Sequence, residues 1–182
     1  LSVMAGIRAA DIAAASGSAR IVRCMPNTPA LVGRGMTGLF DAAGAAADRQ
    51  LAETVIRTTG DVLWVEREEQ LDAVTALSGS GPAYVFYFLE AMQQAGVELG
   101  LTPEQARALA VGTFAGGAHL AAQSAEPLAT LRERVTSKGG TTHAALTALE
   151  QAGVKAAFVK AMHAACVRAA ELGDEFGRTP PH

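Results

Sequence analysis

The first third of the chain alternates short apolar runs with turn-forming residues. The predicted helix before Gly17 and the one before Gly60 repeat apolar positions at helical spacing. Runs rich in β-branched residues predict strands, and Pro26 ends the first because proline cannot donate to a ladder. Together these elements predict the last portion of an α/β domain. Helices are predicted at 7–17 and 48–58, and strands at 20–25, 35–40 and 61–66.

After residue 66 the pattern changes, and no convincing strand follows. Apolar positions recur at helical spacing and are interrupted by Gly and Pro. Thr102, Pro103 and Gln105 are typical of the N-cap, N1 and N3 positions of a helix. Residues 67–173 are predicted to be all-helical, and residues 174–182 to form a flexible tail. The predicted helices cover 71–77, 83–99, 103–123, 128–135, 141–151 and 154–172.

Composition narrows the class of protein. The chain has 182 residues, of which 39 are alanine and only 5% are aromatic, and this favours close-packed helices. The net charge is −3 and no basic run occurs, so we expect no nucleic-acid partner. Neither a membrane span nor a signal peptide is predicted. Cys24 and Cys166 predict free thiols in a reducing cytoplasm, and the histidine spacing predicts no metal site.

Several predicted helices are apolar on more than one face. Segments such as 84–89 and 156–159 are almost continuously apolar. Helices of this kind cannot all cover one another within about 107 residues. We therefore expect a homodimer with a large apolar interface, or a higher oligomer of such dimers. An ordinary monomeric core is the alternative.

Three segments carry residues that suit a ligand. In 135–142, two glycines let the backbone bend, and the helix predicted from Thr141 offers free N–H groups to an anion such as a carboxylate. In 77–84, two serines and two glycines precede a helix that starts with proline. In 23–29, Asn27 follows a strand end, where ligands of open α/β sheets bind. Ordinary turns remain an alternative for each segment, and no acid–base pair stands out.

The order of these segments carries a resemblance. R-C-M-P-N-T-P, then D-A-V-T-A-L-S-G-S-G-P-A-Y, then V-T-S-K-G-G-T-T resemble the pyrroline-5-carboxylate reductase family over about residues 1–173. Lys138 stands where many relatives have proline. The resemblance implies that 1–66 is part of a Rossmann-type NAD(P)-binding domain and that 67–173 is a helical dimerisation and substrate domain. It implies reduction of 1-pyrroline-5-carboxylate to L-proline, the last step of proline biosynthesis, by hydride transfer from NADPH or NADH.

The resemblance also implies roles for particular residues. Thr142 is the implied catalytic hydroxyl, close to the ring nitrogen of the substrate. The substrate is implied to lie against Val135, Ser137, Gly139, Gly140, Thr141 and Thr142. The cofactor is implied to lie against Ala5, Gly6, Met25, Pro26, Asn27, Ser80, Gly81 and Pro82.

The front of such a domain is expected to be missing. We expect no G-x-G-x-x-G pattern anywhere in the chain, and residues 1–6 resemble the end of a buried strand that runs into a glycine turn. We therefore expect a longer protein, and poor cofactor binding by this chain alone. Two other interpretations stay open: a non-enzymatic helical dimerisation fragment, and a related Rossmann-plus-helical reductase of another small carboxylate.

Overall fold

The computed structural model describes residues 1–177, and the side chains of residues 1–175. Its contacts divide the chain into two compact units. The first unit joins Leu1–Ala83 to the chain from Lys160 onward, and the second unit is Tyr84–Val159. The domain boundary after residue 66 follows the last predicted strand instead, and it stays a prediction.

A three-stranded sheet lies in the first unit. β1 (Val22–Met25) pairs antiparallel with β2 (Gly35–Asp41), which pairs in parallel with β3 (Gly60–Trp64). Ser2 forms an isolated parallel bridge to Arg23. The three predicted strands are confirmed, with ends shifted by one or two residues.

Three helices belong to this sheet. α1 (Ala9–Ser16) ends at Gly17, which has φ 69° and donates its N–H to the carbonyl of Ala13. α2 (Ala46–Ile56) connects the parallel strands β2 and β3, as a crossover must. α3 (Gln70–Val74) follows β3 and contacts β2.

The core of the first unit consists of two clusters of buried side chains. The cluster shared by β1, β2 and α2 is Val22, Cys24, Leu39 and Ala52. The cluster beside α1 is Ala9, Ile12 and Ile21. Leu39, in the middle strand, has no exposed surface at all.

A buried polar cluster ties β1 to the segment that precedes α3. Arg23 is only 6% exposed, and its Nη1 donates to Glu68 Oε1 at 2.8 Å. The same oxygen accepts the Ala9 N–H, at the start of α1, at 2.6 Å. Arg8 pairs with Asp72 of α3 at 3.3 Å. These contacts hold α1, β1 and α3 together because a buried guanidinium without its acceptor would be costly.

The chain after α3 departs from the predicted helix over 71–77. A single π turn forms at Thr75–Gly79, where the Ser80 N–H donates to the Thr75 carbonyl at 2.8 Å. α4 (Gly81–Glu98) then begins two residues before its predicted start. Apolar periodicity does not distinguish an i→i+5 turn from an α-helix, so the pattern could not show this turn.

The second unit is helical throughout. The predicted start of α5 is confirmed as a capping box: Thr102 Oγ1 accepts the Gln105 N–H at 3.2 Å, and Gln105 Oε1 accepts the Thr102 N–H at 2.9 Å. Only Ala106 and Ala110 are buried among the residues of this unit. After α4, the helices are α5 (Pro103–Ala122), α6 (Leu128–Arg134), α7 (Thr141–Gln151) and α8 (Val154–Gly177), which continues into the first unit.

The predictions for the first six residues and for the C-terminal tail need correction. Ser2 pairs with β1 as a strand would, but Leu1, Val3 and Met4 are 50–61% exposed, so the expected burial is wrong. α8 continues to Gly177, so the predicted tail is helical over 174–177. The rest of that tail lies outside the described residues.

The letters of a G-x-G-x-x-G pattern do occur once, at Gly33–Gly38. They follow a 3₁₀ helix, Thr28–Val32, and lead into β2 rather than into a helix. A dinucleotide-binding turn joins a strand to a helix, so this segment is not one. Gly38 instead makes room for Val74, whose Cγ1 would lie 2.6 Å from an added Cβ.

Three further findings concern the chain as described. Over residues 1–177, no helix has the length and apolar character needed to cross a membrane. Within the same residues, His, Cys, Asp and Glu side chains form no group of three or more that could hold a metal ion. Cys24 and Cys166 are free, as predicted.

We predict that Glu68→Ala destabilises the protein by about 2–4 kcal/mol, because it leaves the Arg23 guanidinium and the Ala9 N–H without their acceptor. Urea unfolding followed by the fluorescence of Trp64, the single tryptophan, measures this change. Glu69→Ala, at the exposed neighbouring position, is the control and should change stability by less than about 0.5 kcal/mol. Equal stability of the two variants would contradict the prediction.

Candidate ligand-binding site

The β1–β2 ladder ends at a proline, and a side chain continues it. The register pairs Met25 with Gly38, and the hydrogen bond from the Ala42 N–H to the Ile21 carbonyl makes every second pair from there a bonded one, so Asn27 and not Pro26 is the next position that would bond to β2. Asn27 is opposite Met36 in the same register, and its Oδ1 accepts the Met36 N–H at 2.9 Å. An amide side chain therefore holds the turn after β1 against β2.

The π turn packs against this turn. Asn27 Nδ2 donates to Ser78 Oγ at 3.1 Å and lies 3.4 Å from the Ser78 carbonyl oxygen. Ser78 Oγ donates to the Met36 carbonyl at 3.4 Å. Gly79 faces the end of the Met25 side chain, since a Cβ added to it would lie 2.7 Å from Met25 Cε. Two segments that are distant in sequence thus form one contact region.

The turn Ala5–Gly6 leaves the same edge of the sheet. Ser2 runs parallel to β1 and is joined to it by backbone hydrogen bonds of 2.9 and 2.7 Å. Gly6 has φ 71°, in the left-handed region that favours glycine. Because parallel segments end at the same edge, Ala5–Gly6 and Met25–Asn27 both follow the carboxyl edge, where ligands of open α/β sheets bind.

The third group implied for the cofactor follows the π turn. Ser80, Gly81 and Pro82 are half-buried and open α4, and the Ser80 carbonyl accepts the Ala83 N–H at 3.0 Å. All eight residues implied for the cofactor therefore lie in the first unit. Met25 and Asn27 contact Gly79 and Ser78 of the π turn, the segment that immediately precedes Ser80, Gly81 and Pro82.

The residues implied for the substrate lie in the second unit, between α6 and α7. Gly139 has φ 73°, and Gly140 is the N-cap of α7 and donates its N–H to the Ser137 carbonyl at 3.0 Å. No side chain caps α7, so the free N–H groups of its first turn, starting at Thr141, have no capping partner. Thr142 is half-buried in that turn.

The surface around the start of α7 is open and carries no carboxylate over residues 135–142. Val135 is 68% exposed, and Ser137 and Lys138 are exposed as well. Thr136 is committed to the helix before it, because its Oγ1 donates to the Arg132 carbonyl at 2.6 Å. N–H groups, hydroxyls and one ammonium at a helix N-terminus suit an anion.

Neither group of residues contains an acid–base pair. Cys24 lies next to the residues implied for the cofactor, and burial raises the pKa of its thiol. A buried, protonated thiol is unreactive. What the chain offers in both places is neutral hydrogen-bonding groups and backbone geometry, with the Lys138 ammonium as the one charged side chain within 135–142.

Sequence reasoning selected the segments around Asn27 and Ser78 but missed the contact between them. Asn27 and Ser78 are 51 residues apart, and no local pattern connects them. Thr75, whose carbonyl closes the π turn, was not a candidate because its neighbours read as a continuous helix. The Ser-Gly-Ser-Gly-Pro run was the one signal that helical geometry would change here.

Comparison with known proteins identifies the family. A family model described as pyrroline-5-carboxylate reductase dimerisation matches residues 68–172, which is more than half of the chain. The chain belongs to the pyrroline-5-carboxylate reductase family. The family suspected from the three motifs is thus confirmed, and the match spans α3 to most of α8.

Individual pyrroline-5-carboxylate reductases are similar over nearly the whole chain. The enzyme of Pseudomonas aeruginosa is 44% identical over 180 residues, which are 98% of this chain and 66% of the relative. That of Pisum sativum is 38% identical over 174 residues, which are 94% and 63% of the two chains. This chain spans about two thirds of the length of its curated relatives.

Solved structures of the family agree with the fold. A pyrroline-5-carboxylate reductase from Coxiella burnetii has a TM-score of 0.88 and 44% identity, covering 92% of this chain and 63% of its own. The Plasmodium falciparum pyrroline carboxylate reductase with NADP bound has a TM-score of 0.86 and 32% identity, covering 94% and 70%. The predicted fold class, part of a Rossmann-type domain followed by helices, is confirmed.

Proposed function

We propose that this chain takes part in the reduction of 1-pyrroline-5-carboxylate to L-proline, the last step of proline biosynthesis, with NADPH or NADH as hydride donor. The observation that carries the proposal is its 44% identity, over 98% of its length, to a pyrroline-5-carboxylate reductase. The local geometry supports it. One unit has a sheet edge suited to a cofactor, and the other has a helix start suited to a carboxylate.

The sheet edge fits the nicotinamide end of a dinucleotide, which supplies the hydride when bound. Gly6 permits a tight turn, and β1 ends at this edge with Met25, immediately before Pro26. The residues there are small or neutral, which suits a flat amide-bearing ring. The glycine-rich turn that would bind the pyrophosphate of a dinucleotide has no counterpart in this chain, since its one G-x-G-x-x-G pattern leads into β2. The proposed contacts are Ala5, Gly6, Met25, Pro26, Asn27, Ser80, Gly81 and Pro82.

The start of α7 fits the carboxylate of the substrate. The uncapped N–H groups from Thr141 onward and the positive end of the helix dipole attract an anion. Gly139 and Gly140 let the backbone approach it closely. Ser137 adds a hydroxyl, and Val135 offers an apolar surface to the ring.

We propose that Thr142 is the one side chain that acts at the reacting bond. Its hydroxyl donates a hydrogen bond to the ring nitrogen while the neighbouring carbon accepts the hydride, and the nitrogen, which gains the electron pair of the C=N bond, takes up a proton from water. The task of the remaining residues is to hold the two reactants in the correct orientation. This explains how a reductase can work without a strong acid–base pair at either group of residues.

We further propose that the chain forms a homodimer, on which higher oligomers can be built. The matching family model is described as a dimerisation region. In the second unit, Phe86 and Tyr87 are 65% and 70% exposed, and Leu99 and Leu120 are similarly open. A helical unit with so little of its apolar surface buried needs a partner surface, and a second copy of the chain is the simplest one.

A cytoplasmic location is also part of the proposal. Cys24 is buried and Cys166 is half-buried, and neither is paired. Unpaired thiols are usual for proteins of a reducing compartment.

The proposal is tested with two proteins, the chain itself and the chain preceded by the N-terminal third of the Pseudomonas aeruginosa relative, which supplies the part that the chain does not cover. We expect the fused protein to oxidise NADPH when 1-pyrroline-5-carboxylate is added, and the chain alone to bind NADPH poorly. Turnover only with 2-keto or 2-hydroxy acids would instead identify a related reductase. A folded fusion without any turnover would identify a dimerisation fragment.

We predict that Thr142→Ala lowers kcat/KM of the active form about 10-fold or more, because one hydrogen bond of about 1–2 kcal/mol is lost in the transition state. Thr142→Ser keeps the hydroxyl and should retain most of the activity. Thr147→Ala, on the same helix, is the matched control, since its hydroxyl only bonds to the His143 carbonyl. Steady-state kinetics with unchanged values for Thr142→Ala would disprove this role.

We predict that sedimentation at micromolar concentration gives at least twice the chain mass of 18.7 kDa. Phe86→Glu should shift the protein towards the monomer, because it places a charge in the apolar surface. Phe86→Leu, which keeps the position apolar, should leave the mass unchanged. A monomeric parent protein would refute the proposed dimer.

A further inference from the structure

The side-chain amide of Asn27 is engaged within the protein. An asparagine amide has two N–H donors and one oxygen acceptor. Its Oδ1 accepts the Met36 N–H at 2.9 Å, and its Nδ2 lies 3.1 Å from Ser78 Oγ and 3.4 Å from the Ser78 carbonyl oxygen. Turning the amide towards a ligand would break these contacts. The side chain of Asn27 is therefore better placed to shape the sheet edge than to touch a cofactor.

Ser78 completes the attachment to β2. Its Oγ accepts from Asn27 and donates to the Met36 carbonyl at 3.4 Å. The N–H and the carbonyl of Met36 are thus both bonded by side chains of this pair. Met36 lies opposite Asn27 at a hydrogen-bonded position of the register, so the pair takes the place of the two backbone hydrogen bonds that a continued ladder would form there.

The π turn brings Ser78 to this position. The hydrogen bond from the Ser80 N–H to the Thr75 carbonyl adds one residue to the turn, compared with an α-helix. Such turns are rare and occur often at functional sites. A second contact, Met25 Cε against Gly79, joins the same two segments. The turn after β1 and the start of α4 are therefore connected by both polar and apolar contacts.

We propose that Asn27 and Ser78 are positioning residues that lock the turn after β1 to the π turn, so that residues 25–26 and 80–82 form one rigid surface for the cofactor ring. The inference rests on the proposed function, and it changes the role implied for Asn27 from cofactor contact to support. Rigidity matters here because a misplacement of about 1 Å between reacting groups can cost about 100-fold in rate.

The lock, meaning the contacts of Asn27 and Ser78 with each other and with Met36, is tested without any activity measurement. NMR-detected hydrogen exchange of the full chain follows the Met36 amide in Ser78→Ala and in Asn27→Ala. We expect exchange about 10-fold faster in Ser78→Ala and faster still in Asn27→Ala, which removes the acceptor. Ser16→Ala, the same chemical change at an exposed position of α1, is the control and should leave Met36 unchanged. Unaltered exchange in both site variants would overturn the lock.

The effect on the cofactor is tested in the form that reduces 1-pyrroline-5-carboxylate. We expect Ser78→Ala to lower kcat about 5- to 10-fold and to raise the isotope effect measured with 4-deuterated NADPH, with the KM for 1-pyrroline-5-carboxylate unchanged. A purely structural role would reduce the amount of folded protein without altering the isotope effect.

The outcomes separate this inference from the proposed function. An active parent protein whose Ser78→Ala variant has the parent's kcat and isotope effect would refute the positioning role and leave the proposed function standing. A parent protein without turnover would refute the proposed function, and the exchange of the Met36 amide would still support or overturn the lock.

Discussion

The β1–β2 ladder stops after Met25, and side chains supply its hydrogen bonds at the next bonded position, where Asn27 is opposite Met36. The Asn27 carbonyl accepts the Ala30 N–H instead of bonding to β2, so the Met36 N–H and carbonyl take other partners. Asn27 and Ser78 bond to them instead. Ser78 lies beside β2 because it belongs to the π turn that follows α3. One bonded position of the ladder is thus completed by a residue 51 positions further along the chain.

The second unit obeys a different constraint, which is the small size of its side chains. Alanine and glycine let helices approach closely, as where Ala106 Cβ would lie 2.7 Å from a Cβ added to Gly96. Close approach brings backbones together but buries little apolar area, and buried area is the main source of stability. The larger apolar side chains, such as Phe86 and Tyr87, remain exposed instead. The proposed dimer covers this surface, so the alanine content and the association have one physical cause.

Patterns within ten or so residues predicted most of the fold. β1 ends immediately before Pro26, as predicted. The capping box of α5 follows from Thr102, Pro103 and Gln105, which lie within four consecutive residues. Contacts between distant segments could not be predicted in this way. Arg23 with Glu68, and Asn27 with Ser78, are 45 and 51 residues apart. Ser78, which makes one of these contacts, belongs to the π turn, where the prediction of a helix over 71–77 was wrong. The motifs selected the candidate site residues, and the contacts of Asn27 are the basis for the supporting role that we propose for it.

The absence of an acid–base pair from both groups of residues agrees with the kind of chemistry proposed. A hydride donor carries the redox chemistry itself, so the protein contributes by orientation and by stabilising developing charge. Orientation depends on backbone geometry and on side chains that cannot move, not on residues with shifted pKa values. Such a task requires features like those seen in this chain. They are a neutral asparagine that makes three contacts within the protein, a serine in a π turn, and a helix start without a capping side chain. For the same reason a search for catalytic pairs finds nothing in this sequence, whereas motifs rich in glycine, proline, serine and threonine identify the segments that matter.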